Sequence, residues 1–226
     1  MRQLHESMDG LHQDIVRLAG LIEETICKSI LALQERDTAA AEEVIHVDDE
    51  IDRLENRIDD EAFRILALHH PVACDLRLVT AVLMITTDLE RMGDLAGEIA
   101  ERALHLASLP PITVPDKLQQ MTDLTTLMFR QSLEAFLQLD TRQARRVCRL
   151  DDEVNRYNCE IIDEVVGLMR QSPEMIDPGV SLFSAVRHLE RIADHATNIA
   201  EDVVYLAEGE IIRHRPPPAG GTDRNG

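Results

Sequence analysis

Apolar residues return at steps of three and four along most of the chain, the period of a helix with one face against a core. Leu11, Ile15, Leu18, Ile22, Ile26 and Leu33 predict a first helix from about Leu4 to Arg36. Asp37-Thr38 offers an N-cap for a second helix, whose seam is Val44, Val47, Ile51, Leu54, Ile58 and Ile65. His70-Pro71 ends it, because the residue before proline avoids the α region. The third helix carries Leu78, Val82, Ile85, Leu89, Met92, Ala96, Ile99, Ala103 and Leu106, an unbroken alternation that suits lengthwise packing in a bundle. Leu109-Pro110-Pro111-Ile112-Thr113-Val114-Pro115 then breaks the chain.

After that break the pattern starts again. A fourth helix is predicted from about Pro115 to Leu139, and a fifth is capped by Asp140-Thr141. A sixth has Asp177 as N-cap, Pro178 at the first helical position and a seam from Leu182 to Leu206. Leu89-Glu90-Arg91-Met92-Gly93-Asp94-Leu95-Ala96 returns 100 positions later as Leu189-Glu190-Arg191-Ile192-Ala193-Asp194-His195-Ala196. Asp48-Asp49-Glu50-Ile51 returns as Asp151-Asp152-Glu153-Val154 at an offset of 103. No segment alternates with period two over a useful length. The expected fold is all-α, with six helices in two tandem, internally duplicated three-helix bundles, residues 1–108 and 115–210. Residues 211–226, with Arg-Pro-Pro-Pro-Ala-Gly-Gly among them, predict a disordered tail.

Composition narrows the functions open to such a bundle. Of 226 residues 44% are hydrophobic but only 3% aromatic, so the core is aliphatic. Acidic residues outnumber basic ones 42 to 23, for a net charge of -19, a field that repels nucleic acid and anionic membranes and favours cations or basic partners. The longest apolar run, around Val79 to Ile85, is far short of the roughly 20 residues that span a membrane, so direct insertion is not expected. The N-terminus lacks a basic segment followed by an apolar one, so no signal peptide is expected and a cytosolic protein is. Cys27, Cys74, Cys148 and Cys159 form no CxxC and read as small buried hydrophobes in a reducing compartment.

The candidate chemistry is carboxylate. Stepping 100° per residue from Leu89 puts Glu90, Asp94 and Glu101 at about 100°, 140° and 120°. From Val47, Asp48, Asp52, Glu55 and Asp59 fall at about 100°, 140°, 80° and 120°, the same flank of their own seam. Helices joined by a short turn run antiparallel and bring such flanks together. With the turn near Pro71, Asp52 is level with Glu90 and Asp48 with Asp94. In the second half Asp151 faces Asp194 and Asn155 faces Glu190, while Gly93 and Ala193 let the backbones approach. Carboxylates converging at one height raise one another's pKa, and a hard divalent or trivalent cation relieves that: magnesium, calcium, manganese, iron or zinc. The competing reading is a solvated acidic face neutralised by Arg91 and Arg191. His195 points away from the stripe and reads as a surface histidine.

Other chemistry is scarce. The chain has no GxxxxGK, no GxSxG and a single ExxH, Glu43 to His46, where a ferritin-like oxidase needs a pair. His69-His70 reads as a turn feature.

With the doubled LER-x-[GA]-D and with Pro71-Val72-Ala73-Cys74-Asp75-Leu76-Arg77 before the third helix, the sequence resembles the PhoU family from about Leu4 to Glu208. The resemblance implies two similar three-helix bundles and a cytosolic, non-enzymatic negative regulator of phosphate-starvation signalling, peripheral to the membrane through its partners. Those partners would be the ATPase subunit of a phosphate transporter and a sensor histidine kinase; the sequence leaves the oligomeric state open, with a homodimer as one candidate. It also implies metal clusters on the acidic motifs, here Asp48/Asp52 with Glu90/Asp94, and Asp151/Asn155 with Glu190/Asp194, together with Asn198. Glu101 and Glu201 complete the candidate set. Asn155 in place of an acid and Ala193 in place of glycine predict a second cluster that is weaker, smaller or absent. Against this adaptor stand two alternatives: a carboxylate-bridged metalloenzyme, oxidase or phosphatase, which would need an open position and a proton-transfer group, and a purely structural helical protein.

Overall fold

The computed structural model describes residues 2–209, and all regular structure among them is helical. Six long helices follow in order: α1 (Arg2–Glu35), α2 (Thr38–His69), α3 (Cys74–Ala107), α4 (Lys117–Gln138), α5 (Thr141–Gln171) and α6 (Ile176–Glu208). The expected disordered tail, 211–226, lies outside the described residues. α1, α2 and α3 pack on one another, as do α4, α5 and α6. The two bundles meet through α3 against α6 and, more sparsely, α1 against α4.

The apolar seams make the core. Ile15, Ile22, Ile51, Ile58, Leu89 and Met92 are essentially inaccessible in the first bundle, as are Val147, Val154, Ile161, Leu189 and Ile192 in the second. Val47, read as a seam residue, is only half-buried and packs at the margin. Asp37 and Asp140 cap α2 and α5 as expected, each accepting two backbone N–H bonds at 2.9–3.1 Å. The start of α6 differs from expectation. Pro173–Met175 forms a short 3-10 turn capped by Ser172, the helix begins at Ile176, and Asp177 is a first-turn acid rather than the cap. The proline-rich connection is held by Arg36, whose guanidinium donates to the carbonyls of Ala107 (3.1 Å) and Leu109 (2.6 Å). Among the described residues no helix is long and apolar enough to cross a membrane.

Gly93 packs directly against Ile51 where α3 meets α2. A Cβ there would stand 3.0 Å from Cδ1 and 3.4 Å from Cγ2 of Ile51. The tip of Ile51 can move aside for a methyl group but not for a larger side chain. In urea titrations Gly93→Ala should cost less than about 1 kcal/mol, while Gly93→Leu should cost about 2–3 kcal/mol by wedging α2 from α3.

Candidate functional site

In the first bundle the register brings the acidic flanks of α2 and α3 together. Asp48, Gly93 and Asp94 line one groove of about 220 Å³, with Ile51 at its floor and Glu98 and Glu101 continuing it. The field of Asp94 reaches Asp48, Glu55 and Glu90, and that of Asp52 reaches the same three. Partial burial is the largest cause raising the pKa of Asp48, Glu55 and Glu90, and the neighbouring carboxylates add to it. Arg91 supplies the opposing charge, with Nε 3.4 Å from Glu90 and Nη1 3.1 Å from Asp94. Its guanidinium stands in for the cation that this set of oxygens attracts. Glu101, at the far end, lies 3.7 Å from Arg102.

The second bundle repeats the arrangement with Glu190 and Asn158 closed off from water and Asp194 left exposed. Asp151 is half-buried, and its oxygens accept from Asn155 (3.0 Å) and Thr197 (3.3 Å), so the asparagine that replaces an acid tethers its neighbour. Burial still raises the Asp151 carboxyl, although those two donors oppose it. Asp194 is pushed up to about 6, first by burial and then by Glu190 and Asp151. Glu190 is 9% exposed; one oxygen takes a bond from Arg187 (3.2 Å), and the other is buried with no hydrogen-bond partner among the described residues. The Oδ1 of Asn158, 4% exposed, is also buried and unpartnered. By the antiparallel register of α5 and α6, Asn158 sits about one turn from the level of Glu190. Two dry acceptor oxygens without donors call for a cation, a proton or a water. Glu201 lies near Cys148, whose thiol burial pushes up to about 11 with help from Glu201 and Asp151.

Glu55 and its counterpart Asn158 are absent from the predicted ligand set. Both sit one turn beyond the level band, so register alone excluded them, although Glu55 lies on the predicted acidic flank. The donor set is rich in hard oxygen and electrostatically unrelieved, which fits a cation. Among the described residues, however, no three His, Cys, Asp or Glu groups stand in a chelating arrangement, so closing around an ion requires side chains to turn inward.

A second constellation went unread in the sequence. α3 and α6 cross antiparallel, and His195 is not a surface residue: its Nδ1 lies 2.8 Å from Asp88. Asn198 donates to the same carboxylate at 3.4 Å, so it faces the bundle interface rather than Asp151. The 100-residue repeat maps this contact onto Glu98 and His188, 2.9 Å apart. Burial lowers His188 from its usual value against the pull of Glu98. Farther along, His105 meets Ser181 at 2.8 Å. Contact between two helices a hundred residues apart leaves no periodic trace, so only the repeat hinted at it. Ser184, 3.0 Å from His188 Nε2, completes a serine–histidine–acid order, yet it sits within α6, whose N–H groups are engaged in the helix and offer no oxyanion hole. The cysteines also depart from expectation: Cys27 and Cys159 are exposed, because the helix faces that carry them point outward.

Comparison with known proteins covers both halves. The family model described as PhoU domain matches residues 15–103 and 118–203. A phosphate-specific transport system accessory protein PhoU homolog of Aquifex aeolicus is 38% identical over 213 residues, 94% of this chain and 96% of its own. One from Pseudomonas aeruginosa is 34% identical over 216 residues, 94% of this chain and 88% of its own. The crystal structure of PhoU from Pseudomonas aeruginosa matches with a TM-score of 0.86 at 33% identity, covering 91% of this chain and 99% of that one. The phosphate transport system regulatory protein PhoU from Streptococcus pneumoniae gives 0.84 at 34% identity, covering 93% and 97%. These relatives are named as accessory or regulatory proteins, not as enzymes.

The raised Asp194 carboxyl carries a stability consequence. Between the ordinary value of 3.8 and about 6 the folded chain holds a proton that the unfolded chain has lost, so stability falls as pH rises through that window and stays lower above it. Asp194→Asn should stabilise the metal-free protein at pH 7.5 by about 1 kcal/mol, after discounting for the solvent that reaches the side chain. It should also flatten the pH 4–6 slope in denaturant titrations run with chelator.

Proposed function

Since the chain belongs to the PhoU family, we propose that it is a cytosolic, non-catalytic accessory regulator of a phosphate transport system, with metal ions on its carboxylate-lined helix pairs. Its relatives' names support the accessory role. The family resemblance supports the finer reading, in which the protein links the transporter ATPase to a sensor histidine kinase and restrains signalling when phosphate is plentiful. The observation that carries the metal reading is the mutual field of carboxylates across α2/α3 and α5/α6, with the buried, unpartnered oxygens of Asn158 and Glu190 beside it.

In the first bundle Asp48, Asp52, Glu55, Glu90 and Asp94 would hold the ion, and in the second Asp151, Asn158, Glu190 and Asp194. A bound cation supplies positive charge that cross-links neighbouring helices. The chain's own residues do the rest. Gly93 allows close approach of α2 and α3, Asn155 and Thr197 orient Asp151, and Arg91 occupies the carboxylates until an ion displaces it. Arg91 therefore competes with metal.

Metal content by inductively coupled plasma mass spectrometry should show stoichiometric metal in the wild type and loss of the first-bundle share in Glu90→Gln/Asp94→Asn. Arg91→Gln should bind metal severalfold more tightly in chelator competition, because the internal cation is gone. Equal metal content in the wild type and the double variant would remove the first site. Pull-down of the transporter ATPase and the sensor kinase, with and without chelator, tests the adaptor role directly.

A further inference from the structure

The outward face of α5 carries a charge pattern that the fold does not need. Arg142, Arg146 and Arg149 follow at i, i+4 and i+7, all exposed and on the side of the helix opposite Val147 and Val154. Neighbouring cations do have partners: Arg145 pairs with Glu208 at 2.6 Å and Arg156 with Glu153 at 3.1 Å. Among the described residues, no acid lies within ion-pair distance of Arg142, Arg146 or Arg149, in a chain with 42 acidic residues.

Two further observations separate this stripe from ordinary surface charge. Its first member, Arg142, lies in the first turn of α5, which holds no acid beyond the Asp140 cap, so that arginine sits at the positive end of the helix dipole. The internal repeat also supplies its own control, since the matching positions on α2 are Ala39, Glu43 and His46. A three-helix bundle of this kind therefore forms without the stripe.

We propose that Arg142, Arg146 and Arg149 form a docking surface for an acidic helix of a protein partner, one that carries carboxylates at the same i, i+4, i+7 spacing. This deepens the adaptor reading and rests on it, but it does not depend on metal. Charge complementarity selects the occupant. The stripe spans roughly 10 Å, two helical turns, which matches a short acidic helix face laid alongside. Three arginines fall short of the basic clusters of about four to eight that hold anionic membranes, and the net charge of -19 repels any extended polyanion.

The test uses the full chain and fluorescence anisotropy. One probe is an alanine-based helical peptide of about 20 residues with glutamates along one face at this spacing; the other is an isomer with the same glutamates spread around the helix. The facial peptide should bind more tightly than its isomer. Binding should weaken about tenfold in Arg142→Gln/Arg146→Gln/Arg149→Gln and stay unchanged in Arg17→Gln/Arg53→Gln/Arg64→Gln, which removes the same charge elsewhere. The thermal midpoint of the stripe variant should equal or exceed that of the wild type. Four results would overturn the proposal: equal binding of the two peptides, equal weakening by the two triple variants, a lowered midpoint, or stripe-dependent capture of phosphatidylglycerol vesicles in preference to the facial peptide. Because no transporter or kinase component is used, failure here leaves the pull-down test of the adaptor role untouched.

Discussion

Burial of the aliphatic seams forces the carboxylates of this protein into one another's field. Each fully buried Ile, Leu or Val contributes roughly 1.5–3 kcal/mol, and the contact of α2 with α3 buries Ile51, Leu54, Ile58, Leu89 and Met92. Like-charge pairs along a helix face oppose this by only a few tenths of a kcal/mol each. The apolar term wins, and the helices close. Repulsion is outweighed rather than removed, and it persists as raised carboxyl pKa values on both bundles. A cation-seeking surface is thus a by-product of packing two amphipathic helices whose polar flanks share a sign.

The two halves meet this constraint differently. In the first the carboxylates are numerous, line an open groove and are neutralised from within by Arg91. In the second, asparagines replace two of the acids and Asp194 stays exposed, but Glu190 and Asn158 are closed off from water, and one oxygen of each lacks a donor among the described residues. Charge count and desolvation run in opposite directions between the bundles. The second site therefore does not follow from its composition as the poorer one; each dry charge there interacts more strongly than a wet one.

The bundles are joined by a crossing that reuses the repeat. α3 and α6 pack antiparallel, so the contact of Asp88 with Asn198 is carried onto that of His188 with Glu98 by the same hundred-residue offset. Partly buried acid–imidazole pairs add little net stability once desolvation is counted, but a mismatched register would strand them unpaired. That cost of mismatch favours one alignment of the halves. With the bundles held in that alignment, each presents its α2/α3 or α5/α6 face to solvent, where ions and partners can reach it.

Periodicity, the two aspartate caps and the doubled LER motif determine by themselves the six helices, their boundaries to within a few residues, the pairing of α2 with α3 and the levelling of Asp48 with Asp94. All of these are local or follow from a short turn, where helical geometry leaves one antiparallel register. What only the tertiary structure decided involves contacts between distant segments or differences in burial. His195 and Asn198 turn to Asp88, Glu55 and Asn158 enter the carboxylate fields or dry face of their bundles, Glu190 loses water while Asp194 keeps it, and Arg142, Arg146 and Arg149 find no acid among the described residues. Side-chain spacing specifies which face of a helix a group occupies. How much solvent remains there depends on the other helices that close over it, and desolvation is what separates a solvated acidic face from a site.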